Sequence, residues 1–358
     1  MLRVLRKACR RRNWEDETLQ YRALRHIGTF ALAMLMALCV SASAQTVEEF
    51  YRGKQIRVVV GGGEGAGFDI YARLLASFMG KYIPGNPTII VQSMPGAGGV
   101  VAANYVYGIA PKDGTVIGAV NRTMAQAELM NLPGVQFDAR NFHWIGSLNN
   151  EVALCVSWNE ASKVMEFKDL FEHELIIGSS AGGEGENSAH IMNRIMGTKF
   201  KVITGYKAGG NILLAMERGE VNGRCSWSWS SIVAQRPQWL KDKKINLLAQ
   251  LAVEKHPALP HVPLAIDFAK DEDQRKALRF VFARGVAGRP YVLGPGVPQD
   301  RVAALRKAFD DMVNDKAVIA EFERQNQELN PVSGTKIQAL IEEFYATPKS
   351  VIESVGSQ

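Results

Sequence analysis

The sequence predicts an α/β protein assembled from β-α units with mainly parallel strands. Short apolar, β-branched runs recur along the chain with helical stretches between them. Two of these runs pass through glycine-rich turns directly into helices, and 358 residues at 47% hydrophobic content can bury a core of roughly two domains.

Strands are expected at 55–60, 88–92, 115–120, 152–157, 174–178, 201–204 and 246–252, where Val, Ile and Leu cluster. Helices are expected at 67–81, 98–110, 123–130, 166–172, 187–196, 208–218, 272–280, 298–313, 316–325 and 335–346. Turn text separates them, as in Pro84-Gly85-Asn86-Pro87, Pro111-Lys112-Asp113-Gly114 and Gly294-Pro295-Gly296-Val297-Pro298. Val302, Leu305, Phe309, Met312 and Val313 recur at helical spacing and read as core. No internal repeat and no low-complexity tract appears.

The first turn, Gly61 to Asp69, follows Val58-Val59-Val60; the second, Pro95-Gly96-Ala97-Gly98-Gly99, follows Ile89-Ile90-Val91. Each sets bare N–H groups at a helix start, where the peptide dipoles favour an anion. Two such turns on one cleft would receive a carboxylate or phosphate without any basic side chain. Gly61-x-Gly63-x-x-Ala66 resembles a dinucleotide fingerprint, but no Asp or Glu occurs between Asp69 and Asp113 to take a ribose hydroxyl, so nucleotide binding is set aside.

Net charge is +6, yet residues 1–44 hold eight Lys/Arg against three acids, which leaves the remainder at +1. A near-neutral body lacks the basic face of a nucleic-acid binder. Residues 1–44 read as a signal peptide: a basic segment, an apolar stretch from Phe30 to Val40, and Ala42-Ser43-Ala44 before a cleavage point after Ala44. Export to the periplasm follows. The apolar stretch is too short for a spanning helix of about 20 residues. Cys155 and Cys225 would remain after cleavage, as a disulfide or as two buried thiols.

Gly178-Ser179-Ser180-Ala181-Gly182 fits the G-x-S-x-G elbow of a serine hydrolase with Ser180 as nucleophile, though His256 and His261 lie in proline-rich loop text. The alternative is an anion-cradling Ser/Gly loop that continues to Asn187, Ser188 and His190 and opens a helix. His190 reads equally as ligand contact or structural residue. The scattered histidines hold no metal-binding pattern, and no cofactor is expected. In Cys225-Ser226-Trp227-Ser228-Trp229-Ser230, hydroxyls alternate with aromatics, and Trp227 or Trp229 is either core or a stacking surface for a ligand.

Taken in order, the segments Phe50 to Val60, the loop ending in Asp69, Tyr71-Ala72-Arg73-Leu74-Leu75, Pro95 to Gly99, Ala110 to Gly114, Gly178-Ser179-Ser180 through His190, Gly205 to Gly210, Gly219-Glu220-Val221 and Pro257 to Pro263 resemble the Bug family. These are TctC-like extracytoplasmic solute-binding proteins of tripartite tricarboxylate transporters. The resemblance implies a two-domain periplasmic binding protein of type II-like fold, 45–150 plus 251–358 forming one domain and 151–250 the other, with the ligand cleft at a hinge. It implies a non-enzymatic monomer that captures a small organic acid and delivers it to membrane permease subunits; an orphan sensor serving a signalling partner would use the same fold. The family's site maps onto Gly63, Glu64, Gly65, Ala66, Gly67 and Asp69, onto Asn121 and Thr123, and onto Ser179, Ser180, Asn187 and Ser188. Ser226 and Trp227 stand where the family usually has an Asp-Asn pair, which points to an aromatic or bulkier acid rather than a citrate-like one, although a dicarboxylate also fits.

Overall fold

The structure, a computed structural model, describes residues 45–160 and 162–356; the expected signal peptide lies outside the described residues. Its strands are β1 (Gln55–Val60), β2 (Thr88–Ser93), β3 (Val116–Ala119), β4 (His143–Ser147), β5 (Ala153–Trp158), β6 (Leu175–Gly178), β7 (Phe200–Ile203), β8 (Gly223–Ser228), β9 (Ile245–Leu251), β10 (Pro290–Leu293) and β11 (Val332–Ser333). They form a six-stranded sheet in the order β11-β4-β10-β3-β1-β2 and a five-stranded sheet in the order β7-β6-β8-β5-β9. The α/β class holds, with helices flanking both sheets.

Each sheet is mixed. β1 pairs in parallel with β2 and β3, while β10 joins β3 and β4 antiparallel. In the second sheet β6 pairs in parallel with β7 and β8, while β5 lies antiparallel between β8 and β9. The strands absent from the sequence-based set, β4, β8, β10 and the two-residue β11, each have an antiparallel neighbour. Their local signal is weak: β4 carries Gly146, β10 is a four-residue strand opening on Pro290, and β8 reads Gly-Arg-Cys-Ser-Trp-Ser. Gly146 is needed because the Phe309 ring would lie 2.2 Å from any Cβ there.

The expected helix at 123–130 is instead one 3₁₀ turn, Arg122–Ala125, followed by irregular turns. The buried Gln126 amide there donates to the carbonyl of Phe280, and Asn131 takes a left-handed φ of 50° that ends the segment. The segment 166–172 is likewise a 3₁₀ helix, Phe167–Phe171, rather than an α-helix.

Strand alternation directs the core. Ile56, Val58 and Val60 face one layer and Val59 the other. On the first layer, Tyr71, Leu74 and Leu75 of the helix Gly67–Phe78 meet Val302, Leu305 and Phe309 of the helix Gln299–Val313, all buried. Each such side chain contributes about 1.5–3 kcal/mol on burial.

The chain leaves the first sheet after β4 and returns before β10, and the two crossings run side by side. The amide of Glu151 donates to the Gly285 carbonyl at 2.8 Å, and that of Gly288 to the Asn149 carbonyl at 3.1 Å. At Gly288 a Cβ would lie 2.2 Å from that of Glu151, so only glycine permits this approach.

Candidate ligand-binding cleft

A cavity of about 460 Å³ lies between the two sheets, within the usual range for small-molecule sites. The glycine-rich turns after β1 and β2 form one wall. The turn after β6, the turn after β7 and strand β8 form the other. The walls touch through backbone: a Cβ at Gly98 would sit 2.0 Å from the Gly182 carbonyl oxygen, and one at Gly63 would sit 3.2 Å from that of Lys207. Asn121 fixes the second turn by donating its amide to the Gly98 carbonyl.

Three helices start on this cavity: Gly67–Phe78, Glu184–Met196 and Gly209–Glu217. Their N-cap residues are Ala66, Gly183 and Ala208, none of which has a side-chain oxygen to accept the first N–H groups. The walls therefore present main-chain donors together with the positive ends of helix dipoles.

Basic side chains are also present, which corrects the expectation of a receptor without them. Arg122, Arg224 and Arg289 line the cavity. Arg122 and Arg284 both hold Glu184, at 2.8 and 3.1 Å. Burial alone would raise the Glu184 carboxyl, but the two guanidinium groups outweigh it and hold the pKa below the ordinary value. Arg289 meets Glu151 at 3.2 Å and donates to Ser231 at 3.0 Å, and its guanidinium lies 4.7 Å from the Tyr71 ring centroid. Arg224 has no carboxylate partner in the structure described, and burial first, then the charges of Arg289 and Arg122, push its pKa down to about 10.

Strand β8 explains how Arg224 reaches the cavity. Leu154 pairs with Trp227 and Val156 with Arg224, so three steps on β8 oppose two on β5, a β-bulge. Ser226 within it takes a left-handed φ of 54°, unusual for a residue with a Cβ. The bulge resets the alternation, and the Arg224 guanidinium lies 5.0 Å from the Trp227 ring centroid. Cys225 in the bulge is disulfide-bonded to Cys155 of β5, which resolves the alternatives left by the sequence.

Of the residues singled out from sequence, Gly63, Ala66, Gly67, Asn121, Ser179, Ser180, Ser226 and Trp227 border the cavity. Seven others do not. Glu64 and Gly65 are exposed at the outside of the first turn, and Thr123 is buried behind it. The Asp69 carboxylate turns inward, accepting from the Gly65 amide at 2.9 Å and from Arg73 at 2.8 Å. Asn187 donates to the Gly182 carbonyl, and Ser188 shares hydrogen bonds with Ser226 and Arg284, so both brace the wall. His190 points outward, its ring 59% exposed and 3.9 Å from Glu186. Trp227 is 1% exposed, packed edge to face on Trp239 and covered by Arg224, so it offers no face for stacking. The argument for an aromatic ligand therefore loses its footing.

Among the described residues no hydrogen bond joins Ser180 to an imidazole: the ring of His190 lies by Glu186, and that of His256 is 3.1 Å from Glu328. Among the described residues no group of metal-ligating side chains is assembled, and no helix is long and apolar enough to cross a membrane.

No family model matches the chain. It is 36% identical over 98 residues to a UPF0065 protein of Bordetella bronchiseptica, a match spanning 27% of this chain and 28% of that relative. A UPF0065 protein of Cupriavidus necator is 24% identical over 323 residues, covering 87% of this chain and 91% of the relative. Among solved structures, MatC of Rhodopseudomonas palustris with bound malate superposes with a TM-score of 0.63 at 20% identity, covering 84% of this chain and 99% of that one. A second R. palustris protein, with adipate, gives 0.63 at 20% identity over 84% and 97%. The periplasmic binding protein BugD gives 0.62 at 19% identity over 83% and 95%. The structural neighbours are thus TctC/Bug-type periplasmic binding proteins, in keeping with the resemblance read from the motifs, and the chain has their fold.

Proposed function

We propose that this chain, which shares the fold of the TctC/Bug-type solute-binding proteins, is a periplasmic receptor that captures a small organic acid and hands it to the permease subunits of a tripartite transporter. The observation that carries the reading is that three helix starts, with Ala66, Gly183 and Ala208 as N-cap residues, turn on one cavity. A carboxylate there accepts from main-chain N–H groups at the helix starts, and the helix dipoles favour its charge. The malate and adipate bound by two neighbours are carboxylates of this kind.

Binding rather than turnover fits a Ser180 that has no histidine partner among the described residues, His190 and His256 being engaged by Glu186 and Glu328. The paired crossings around Glu151 and Gly288 act as the hinge between domain 45–150 with 251–358 and domain 151–250, and closure presents a new surface to the permease as a monomer. A thermal-shift screen of the purified protein against mono-, di- and tricarboxylates, amino acids and sugars tests this. A carboxylate at 100 times its Kd stabilises the fold by about 2.7 kcal/mol. Silence across all carboxylates, or hydrolysis of an ester, would sink the reading.

A further inference from the structure

The two walls of the cleft meet in different ways at different places. Where glycine turns face each other they touch through bare backbone, Gly98 against Gly182 and Gly63 against Lys207. Elsewhere they are joined by charge. Arg122 follows β3 and Arg284 precedes β10, neighbouring strands of the six-stranded sheet, and their segments are tied together by the Gln126 amide, which donates to the Phe280 carbonyl. Glu184 follows β6 of the five-stranded sheet. Both guanidinium groups close on its carboxylate, Arg122 at 2.8 Å and Arg284 at 3.1 Å. Each also donates to a serine of that second wall, Arg122 to Ser228 at 3.2 Å and Arg284 to Ser188 at 2.9 Å.

The two arginine side chains are 2% exposed and that of Glu184 16%. The space left between these groups is about 10 Å³, enough for one water at most. Such a buried triad is a poor source of net stability, because desolvation offsets much of the attraction and apolar side chains of similar volume would often serve as well. It has one property that apolar packing lacks. When the walls part, each charged group regains water and no apolar surface is bared, whereas two apolar faces in that place would resist separation. Charge therefore suits a joint that must both close and open.

We propose that Arg122, Glu184 and Arg284 form a clasp between the two domains, positioning residues that hold the cleft in its closed arrangement. This rests on the receptor and hinge reading above and adds to it the groups that govern closure. A clasp that favours the closed form slows the escape of a bound solute. Arg284 acts in this from outside the main cavity, which it does not line.

Spin labels at Ile90→Cys and Lys201→Cys test the proposal in the ligand-free protein. These exposed positions lie on β2 and β7, edge strands three places from β10 and from β5, the strands that adjoin the crossings. Distance measurement by electron–electron double resonance should give mainly one short distance for the otherwise wild-type chain. Glu184→Gln and Arg284→Met should each add a longer distance, raising the open population about ten-fold or more. Arg284→Met leaves Glu184 paired with Arg122, so no charge is stranded and the fold is kept. Phe309→Ala, which hollows the core of the six-stranded sheet, should lower the melting temperature without adding a distance. An unchanged short distance in both clasp variants overturns the proposal, as does a wild type that is mainly open or a longer distance that appears equally in Phe309→Ala. The labels report without any solute, so silence in the carboxylate screen would remove the receptor reading while the distances still decide the clasp.

Discussion

Three helices that start away from the cleft are built differently from the three that start on it. Asp271, Asp315 and Ser333 accept the first N–H groups of the helices Glu272–Phe282, Lys316–Arg324 and Gly334–Tyr345. At the cavity the same position holds Ala66, Gly183 and Ala208, which have no side-chain oxygen to accept with, and only the Glu184 start borrows one, the Ser179 hydroxyl taking the Glu186 amide at 3.1 Å. A cap is worth about 0.5–2 kcal/mol, so the protein forgoes stability at the starts of Gly67–Phe78 and Gly209–Glu217. The arginines repeat the lesson, with Arg122 and Arg289 paired for structure and Arg224 left open. What is left unsatisfied marks where a solute is expected.

The paired side of this comparison breaks most severely at Glu184. Glu184→Gln leaves Arg122 and Arg284 buried without a counter-charge, and a loss of about 3–5 kcal/mol in chemical denaturation is expected. Because the folded-state pKa of Glu184 is depressed, its contribution is full above the ordinary value of 4.5 and is lost as pH falls below that toward the folded value. Wild type should therefore weaken on acidification in that window, and Glu184→Gln should show a flatter profile.

Removing the Cys155–Cys225 bridge is the next largest change. The bridged positions are 70 residues apart, for which chain entropy gives about 4 kcal/mol as an upper figure. Cys155→Ala/Cys225→Ala should lower the denaturation midpoint accordingly and weaken ligand binding through the loosened Arg224, as titration would show; unchanged affinity would mean that the bulge holds by itself.

The comparison sharpens when caps are exchanged. Ala208→Asp should raise ligand-free stability by about 0.5–2 kcal/mol while cutting carboxylate affinity at least ten-fold. Asp271→Ala should cost a similar amount of stability and leave affinity alone. His190→Ala should shift both by less than about 0.5 kcal/mol, since its ring is exposed and outside the cavity.

Much of the fold was legible because it rests on local pattern. The run Ile56 to Val60, the glycine turns and the apolar spacing of Val302 to Val313 each declare an element within a short window, and each is where expected. The cleft was legible where backbone makes it, at Gly63, Gly67, Ser179 and Ser180. Side chains that meet only in space were not. Arg289 and Glu151 lie on opposite crossings, and nothing near Gly288-Arg289-Pro290 or Asn150-Glu151-Val152 announces their pairing. Arg224 carried a faint signal, a charge within a strand of serines and tryptophans. The bulge that sends it to the side of Trp227 depends on register with β5 and cannot be read from β8 alone.

The stacking of Arg224 on Trp227 has an optical consequence. An indole's emission responds to the electric field along its ring, and this one has a full positive charge 5.0 Å from its centroid and a buried Nε1 without a hydrogen-bond partner. An anion that neutralises or displaces the guanidinium alters that field at once. Trp227 is thereby a built-in reporter, and an unlabelled titration followed by tryptophan fluorescence should read cleft occupancy.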